Sequence, residues 1–114
     1  MRADRDRVLD MLAAIGKVRH LADEGRERFD QDELAQVYFT HQILVLGEAA
    51  SRVSDDVRAQ FPSVPWGKMI GMRNALLHGY FTIELDIVWD TAQQDLPVLE
   101  RQLRSMLNGL EWGS

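Results

Sequence analysis

The stretch Pro65-Trp66-Gly67-Lys68-Met69-Ile70-Gly71-Met72-Arg73-Asn74-Ala75-Leu76-Leu77-His78-Gly79 opens on a proline and closes on a glycine. Proline suits the start of a helix, where its missing N–H has no partner to lose, and glycine past the last turn can take the left-handed conformation that ends one. The spacing predicts a helix over about Trp66 to His78, closed by Gly79. Upstream, Phe61-Pro62-Ser63-Val64-Pro65-Trp66 must be irregular, since each proline restricts the residue before it, and Asp55 to Gln60 suits a short helical turn. Before that, Leu34, Val37, Tyr38, Ile43, Leu44, Leu46, Ala49, Ala50 and Val53 predict a second helix ending near Ser54. Asp30 with Glu33 reads as the capping box that begins it. This helix is apolar around most of its circumference and so should be central, or shared with a partner chain. Val8, Leu9, Met11, Leu12, Ile15, Val18 and Leu21 make an earlier amphipathic helix, with Asp4, Asp6, Asp10, Lys17 and Arg19 on its other sides and Gly25 near its end. A fourth begins near Leu85 and carries Val88, Trp89, Ala92, Leu96, Leu99, Leu103, Met106 and Leu110, with Pro97 expected to kink or break it. With no β-hairpin signal, the expected fold is all-α: an antiparallel four-to-five-helix up-and-down bundle.

The chain has 114 residues, 46% of them hydrophobic and 27% charged, which suits one globular domain spanning 1–114. No apolar stretch is long enough to cross a bilayer, and Met1-Arg2-Ala3-Asp4-Arg5-Asp6-Arg7 alternates charges where a signal peptide would turn apolar. A cytoplasmic protein without membrane partners is expected. The absence of cysteine rules out disulfides, thiolate zinc sites and a cysteine nucleophile. The net charge of -5 argues against a broad electrostatic grip on nucleic acid, so any RNA contact must be local. Arg52, Arg58, Lys68 and Arg73 would form such a patch if the fold gathered them, and would otherwise be scattered surface charges.

Arg73, Asn74, His78 and Tyr80 gather a permanent cation, a carboxamide, an imidazole and a phenol within eight residues. A guanidinium fork fits a phosphate, and histidine gives and takes protons near neutrality, so phosphoester chemistry is indicated. At about 100° per residue, Arg73 and His78 point roughly 140° apart, whereas Asn74 and His78 share a face. One chain therefore looks incomplete, with Asn74 paired to His78 and the long Arg73 arm reaching around. Two copies meeting across a two-fold axis would supply two histidines, one as base and one as acid, with arginines between them. Such a site suits RNA cleavage without metal by attack of a ribose 2′-hydroxyl on the adjacent phosphate. In the bland alternative Arg73 sits in a surface ion pair, His78 caps helix carbonyls, and Tyr80 packs the loop.

The run Gly71-Met72-Arg73-Asn74-Ala75-Leu76-Leu77-His78-Gly79-Tyr80-Phe81 resembles the signature of the HEPN superfamily, and within it the HepT-like branch, whose pattern is Arg, four residues, His, one residue, Tyr. Ile43-Leu44-Val45-Leu46-Gly47-Glu48-Ala49-Ala50, Phe61-Pro62-Ser63-Val64-Pro65-Trp66, and Ile87-Val88-Trp89-Asp90 with Asp95-Leu96-Pro97 are similar to the same branch in the same order. The likeness runs from the second helix onward and departs at Gly79, where many relatives carry an acidic residue. It implies a HEPN-like homodimer with a composite active site, acting as a metal-independent endoribonuclease toxin of a type VII-like HEPN/MNT toxin–antitoxin system. Arg73 and His78 take the family's catalytic places, Asn74 the polar place after the arginine, and Tyr80 the place AMPylated by a cognate MNT-type nucleotidyltransferase antitoxin. No cofactor is implied for this chain, because ATP and magnesium belong to that antitoxin. An added AMP would bring a phosphate charge and bulk beside the site that receives RNA.

Other residues read as structural. His20 and His41 have no carboxylates at metal-ligand spacing, so no metal is assigned. Glu48 is expected to pair with Arg52 four residues on, with a place facing the cleft as the alternative. Trp66 and Trp89 read as core or interface anchors. Two further classes of function stay open: a non-catalytic HEPN module that binds nucleotide or partners a minimal nucleotidyltransferase, and a purely structural helical dimer.

Overall fold

A computed structural model describes residues 2–79 and 84–109, and every regular element among them is an α-helix. They are α1 (Arg2–Ala22), α2 (Arg26–Gln31), α3 (Glu33–Arg52), α4 (Asp55–Gln60), α5 (Trp66–Gly79), α6 (Leu85–Gln94) and α7 (Leu96–Gly109). Four long segments were expected; the larger number comes from two short helices and one break. Each short helix buries a single apolar anchor, Phe29 in α2 and Val57 in α4. The break falls at Asp95, two residues before Pro97. In a continuous helix the Pro97 ring would strike the carbonyl four residues back, but in the first turn of α7 it replaces an N–H that has no partner.

The start of α3 is also displaced from expectation. Asp32 is its N-cap, with Oδ1 accepting from the Ala35 N–H at 3.1 Å, whereas Asp30 lies within α2 and accepts from Arg26 Nε at 2.7 Å. Such a cap contributes about 1 kcal/mol. Asp4 is a second correction: it was placed on the polar side of α1, yet it is buried. Its two carboxylate oxygens accept from the backbone N–H and the hydroxyl of Ser54, at 2.7 and 2.9 Å. Ser54 Oγ in turn caps α4 by accepting from the Val57 N–H. Since Asp4 opens α1 and Ser54 follows the end of α3, this link sets the two helices antiparallel.

α1 packs chiefly on α3, and α3 on α5, so α3 is central as its composition predicts. Val8, Met11, Ile15 and Val18 from α1 meet Phe39, Ile43, Leu46 and Ala50 from α3, with Leu76, Val88, Leu99, Leu103 and Met106 closing the core. Fully burying such a side chain contributes roughly 1.5–3 kcal/mol before chain entropy is subtracted. At one end Phe29, Phe39 and Trp89 form an aromatic cluster with ring centroids 4.9 to 5.8 Å apart. Arg26 lies over the Trp89 ring, and its hydrogen bonds to Asp30 and then Asp86 raise its pKa above the ordinary value. Trp66 is buried with its indole N–H on the Phe61 carbonyl, so both tryptophans serve the core. No described helix is long and apolar enough to cross a membrane.

Candidate active site

α5 begins as the sequence predicts: the Pro65 carbonyl accepts the first helical hydrogen bond, from Met69 N–H at 3.2 Å. Halfway along, α5 crosses α3 at Gly47. A Cβ on Gly47 would overlap the Cβ of Arg73 and stand 2.8 Å from the Met69 carbonyl oxygen, so only glycine allows the two backbones this close. The close approach brings Arg73 directly over α3. Its Nη1 donates to Glu48 Oε1 at 2.6 Å and, at a weak 3.5 Å, to Ser51 Oγ. Its Nε donates to Asn74 Oδ1 at 2.9 Å. The Arg73 side chain keeps only 19% of its surface exposed, against 42% for Glu48. At this depth the ion pair is less screened than a surface pair, whose value is about 0–1 kcal/mol.

Two expectations are corrected here. Glu48 pairs across helices with Arg73 and not within α3 with Arg52, because the Gly47 crossing brings a guanidinium closer than the exposed Arg52 arm. Asn74 gives its carboxamide oxygen to Arg73, and no hydrogen bond joins it to His78. An adjacent flexible side chain thus outcompetes the partner one turn on.

His78 stands on the last turn of α5 with its imidazole exposed, beside the exposed Leu77. Tyr80, the expected modification site, lies outside the described residues. Gly79 is the last residue of α5, and the left-handed conformation expected for it is found among the described glycines only at Gly25. Of the four basic side chains considered for a local patch, three are each engaged by a carboxylate. Arg58 pairs with Asp55, Lys68 with Asp95 at 2.7 Å, and Arg73 with Glu48. Arg52 instead lines a cleft of about 310 Å³ with Arg7, Asp10, Val45, Glu48 and Ala49. A larger groove of about 500 Å³ between α5 and α6 is lined by Lys68, Met72, Ala75, Leu76, Glu84, Ile87 and Val88. Neither cleft is lined by Arg73 or His78. His20 and His41 are exposed, and no cluster of three His, Asp or Glu side chains able to hold a metal ion occurs among the described residues.

Gly47 and Ser51 went unassigned in the sequence. A signal existed for the first: glycine inside a long apolar helix costs about 1 kcal/mol relative to alanine and so marks a close approach of another backbone.

An all-helical protein with Arg73, Asn74 and His78 on the final turns of one helix defines a narrow class. The HepT-like ribonuclease family matches residues 11–106, and the chain belongs to that family. The chain is similar to a protein of Thermococcus cleftensis named "Probable ribonuclease HepT", with 27% identity over 92% of this chain and 96% of the relative. It is 32% identical to a protein of Caldanaerobacter subterraneus subsp. tengcongensis named as a candidate RNase, over 71% of this chain and 72% of that one. A candidate RNase of Methanocaldococcus jannaschii is 37% identical over 52% of this chain, and the chain spans 54% of that relative's length. No solved structure matches the chain.

Proposed function

We propose that this chain is one HEPN-like helical domain that acts, as a homodimer, as a metal-independent endoribonuclease toxin. The observation that carries this reading is the arrangement on α5: a partly buried, pre-oriented Arg73 five residues from an exposed His78, in a chain of the HepT-like family. In the proposed reaction one His78 removes the proton from a ribose 2′-hydroxyl, which attacks the adjacent phosphate, and the His78 of the second copy protonates the departing 5′-oxygen. Arg73 stabilises the charge that develops on the phosphate oxygens, with Asn74 as its neighbour in that task. Leu77 is 60% exposed beside His78, which gives the approaching copy an apolar contact at the site it completes. The regulator of this proposal is an MNT-type nucleotidyltransferase that attaches AMP to Tyr80.

Purified protein incubated with RNA in EDTA tests the nuclease. Cleavage that disappears in His78→Ala and Arg73→Ala supports it, and undiminished cleavage by folded His78→Ala protein refutes it. Intact mass after incubation with an MNT-type nucleotidyltransferase, ATP and magnesium tests the regulator, through AMP-sized increments absent from Tyr80→Phe.

A second reading is a non-catalytic module that binds nucleotide or the nucleotidyltransferase. The net charge of -5 and the pairing of Lys68, Arg58 and Arg73 to carboxylates favour it, since they offset three of the cations that a local RNA contact would use. Absence of cleavage at high protein concentration, with retained binding to the nucleotidyltransferase, would decide for it.

A further inference from the structure

Arg73 is held by one turn of α3. Gly47 lets its backbone lie against that helix, Glu48 takes Nη1 at 2.6 Å, and Ser51, one turn beyond Gly47, stands behind at 3.5 Å. The Ser51 hydroxyl hydrogen is already committed to the Glu48 carbonyl oxygen at 2.7 Å, so its lone pairs are left to accept from Arg73. Asn74 takes the Nε hydrogen. The guanidinium therefore has both Nε and Nη1 engaged, while Nη2 makes no hydrogen bond among the described residues. An arginine offers five donors in a rigid plane, so fixing two of its nitrogens dictates where the third one points.

We propose that Glu48 is the positioning residue for Arg73: its carboxylate fixes the guanidinium plane over Gly47 and turns the Nη2 edge toward the RNA phosphate. This rests on the reading of Arg73 as the transition-state stabiliser. A carboxylate beside the cation weakens its long-range attraction for a polyanion, so Glu48 trades RNA affinity for orientation. Orientation matters more to turnover than to binding, because an error of about 1 Å in a catalytic group costs up to roughly 100-fold in rate. Asp10, which lines the cleft beside Glu48, does not substitute for it, because it is paired with Arg7.

The test measures cleavage of a short RNA by wild type, Glu48→Ala, Glu48→Gln, Arg73→Ala and the Glu48→Ala/Arg73→Ala double variant. Glu48→Ala is expected to lower kcat by about 100-fold with KM unchanged or lower. Glu48→Gln, which keeps an oxygen acceptor, should recover part of the loss, and the double variant should be no slower than Arg73→Ala alone. A kcat for Glu48→Ala equal to or above wild type would overturn the proposal, and so would losses that multiply in the double variant. Side-chain NMR of Arg73 supplies a readout independent of turnover. Its Nη hydrogens should be slow to rotate and exchange in the wild type, and fast in Glu48→Ala; identical behaviour in both proteins overturns the proposal. If the wild type cuts no RNA, the nuclease reading fails alone, and the NMR result still decides whether Glu48 holds Arg73.

Discussion

The two ends of the motif on α5 are treated differently by the fold. At Arg73 the helix is pressed against α3, and the side chain is mostly covered and bonded to Glu48, Ser51 and Asn74. At His78, about one turn and a half later, both His78 and Leu77 face outward, while Leu76 on the opposite side of the same turn enters the core. On the proposed mechanism, the group that holds charge in a fixed direction is pre-organised by α3, whereas the group that exchanges protons is left accessible. That division suits a site completed by a second copy, because the partner's contribution is needed only at the exposed end.

Removing the two functional groups tests the comparison most severely. His78→Ala is expected to lower RNA cleavage by about 10²- to 10⁴-fold, the range for a general acid or base, with a melting temperature near that of wild type because the imidazole is exposed. Arg73→Ala should cost about 10²- to 10³-fold in kcat and, unlike His78→Ala, should also lower stability, since Glu48 loses its partner. Steady-state kinetics and thermal melts on both variants check this asymmetry. Leu76 and Leu77 offer the same contrast in packing. Leu76→Ala should destabilise by about 2–5 kcal/mol in denaturant titration, as Leu76 is fully buried. Leu77→Asp should change protomer stability by about 0.5 kcal/mol or less and instead weaken self-association in sedimentation. Gly47→Ala should destabilise by about 1–3 kcal/mol and reduce cleavage as well, because the new methyl group pushes Arg73 from its seat. Cleavage that survives Gly47→Ala intact would mean the tight crossing matters for packing alone. Last, Asp32→Ala should cost about 1 kcal/mol of stability through loss of the α3 cap while leaving kcat unchanged, since the cap lies at the far end of α3 from the site.

Much of the fold was legible in the chain, and the reasons are local. The apolar periodicity of α1 and α3, the Pro65 and Gly79 limits of α5, and the disruption at Pro97 each depend on residues a few positions apart. The short α2 was missed because its stability comes from Phe29 packing on Phe39 and Trp89, ring contacts that no local window contains. With α2 unseen, Asp30 looked like the cap that Asp32 in fact provides. Asp4 was misplaced for a similar reason: an acidic residue near a helix N-terminus reads as solvated, and its burial follows from Ser54, fifty residues away in the chain. At the candidate site, the family signature singled out Arg73, Asn74 and His78, but the partner assignments built on helical spacing failed. Helical spacing describes neighbours on one helix, and Arg73 found its carboxylate on another.

What the sequence by itself determined is the helical class, the limits of α5 and the chemical identities on it, since backbone propensity, capping and motif spacing are set by near neighbours. Only the tertiary structure decided that Glu48 belongs to Arg73 and not to Arg52, and that Arg73 is covered while His78 is open. The physical reason is the Gly47 crossing. Two helix backbones can approach that closely only where a side chain is missing, and which helix fills that space depends on the packing of the whole core.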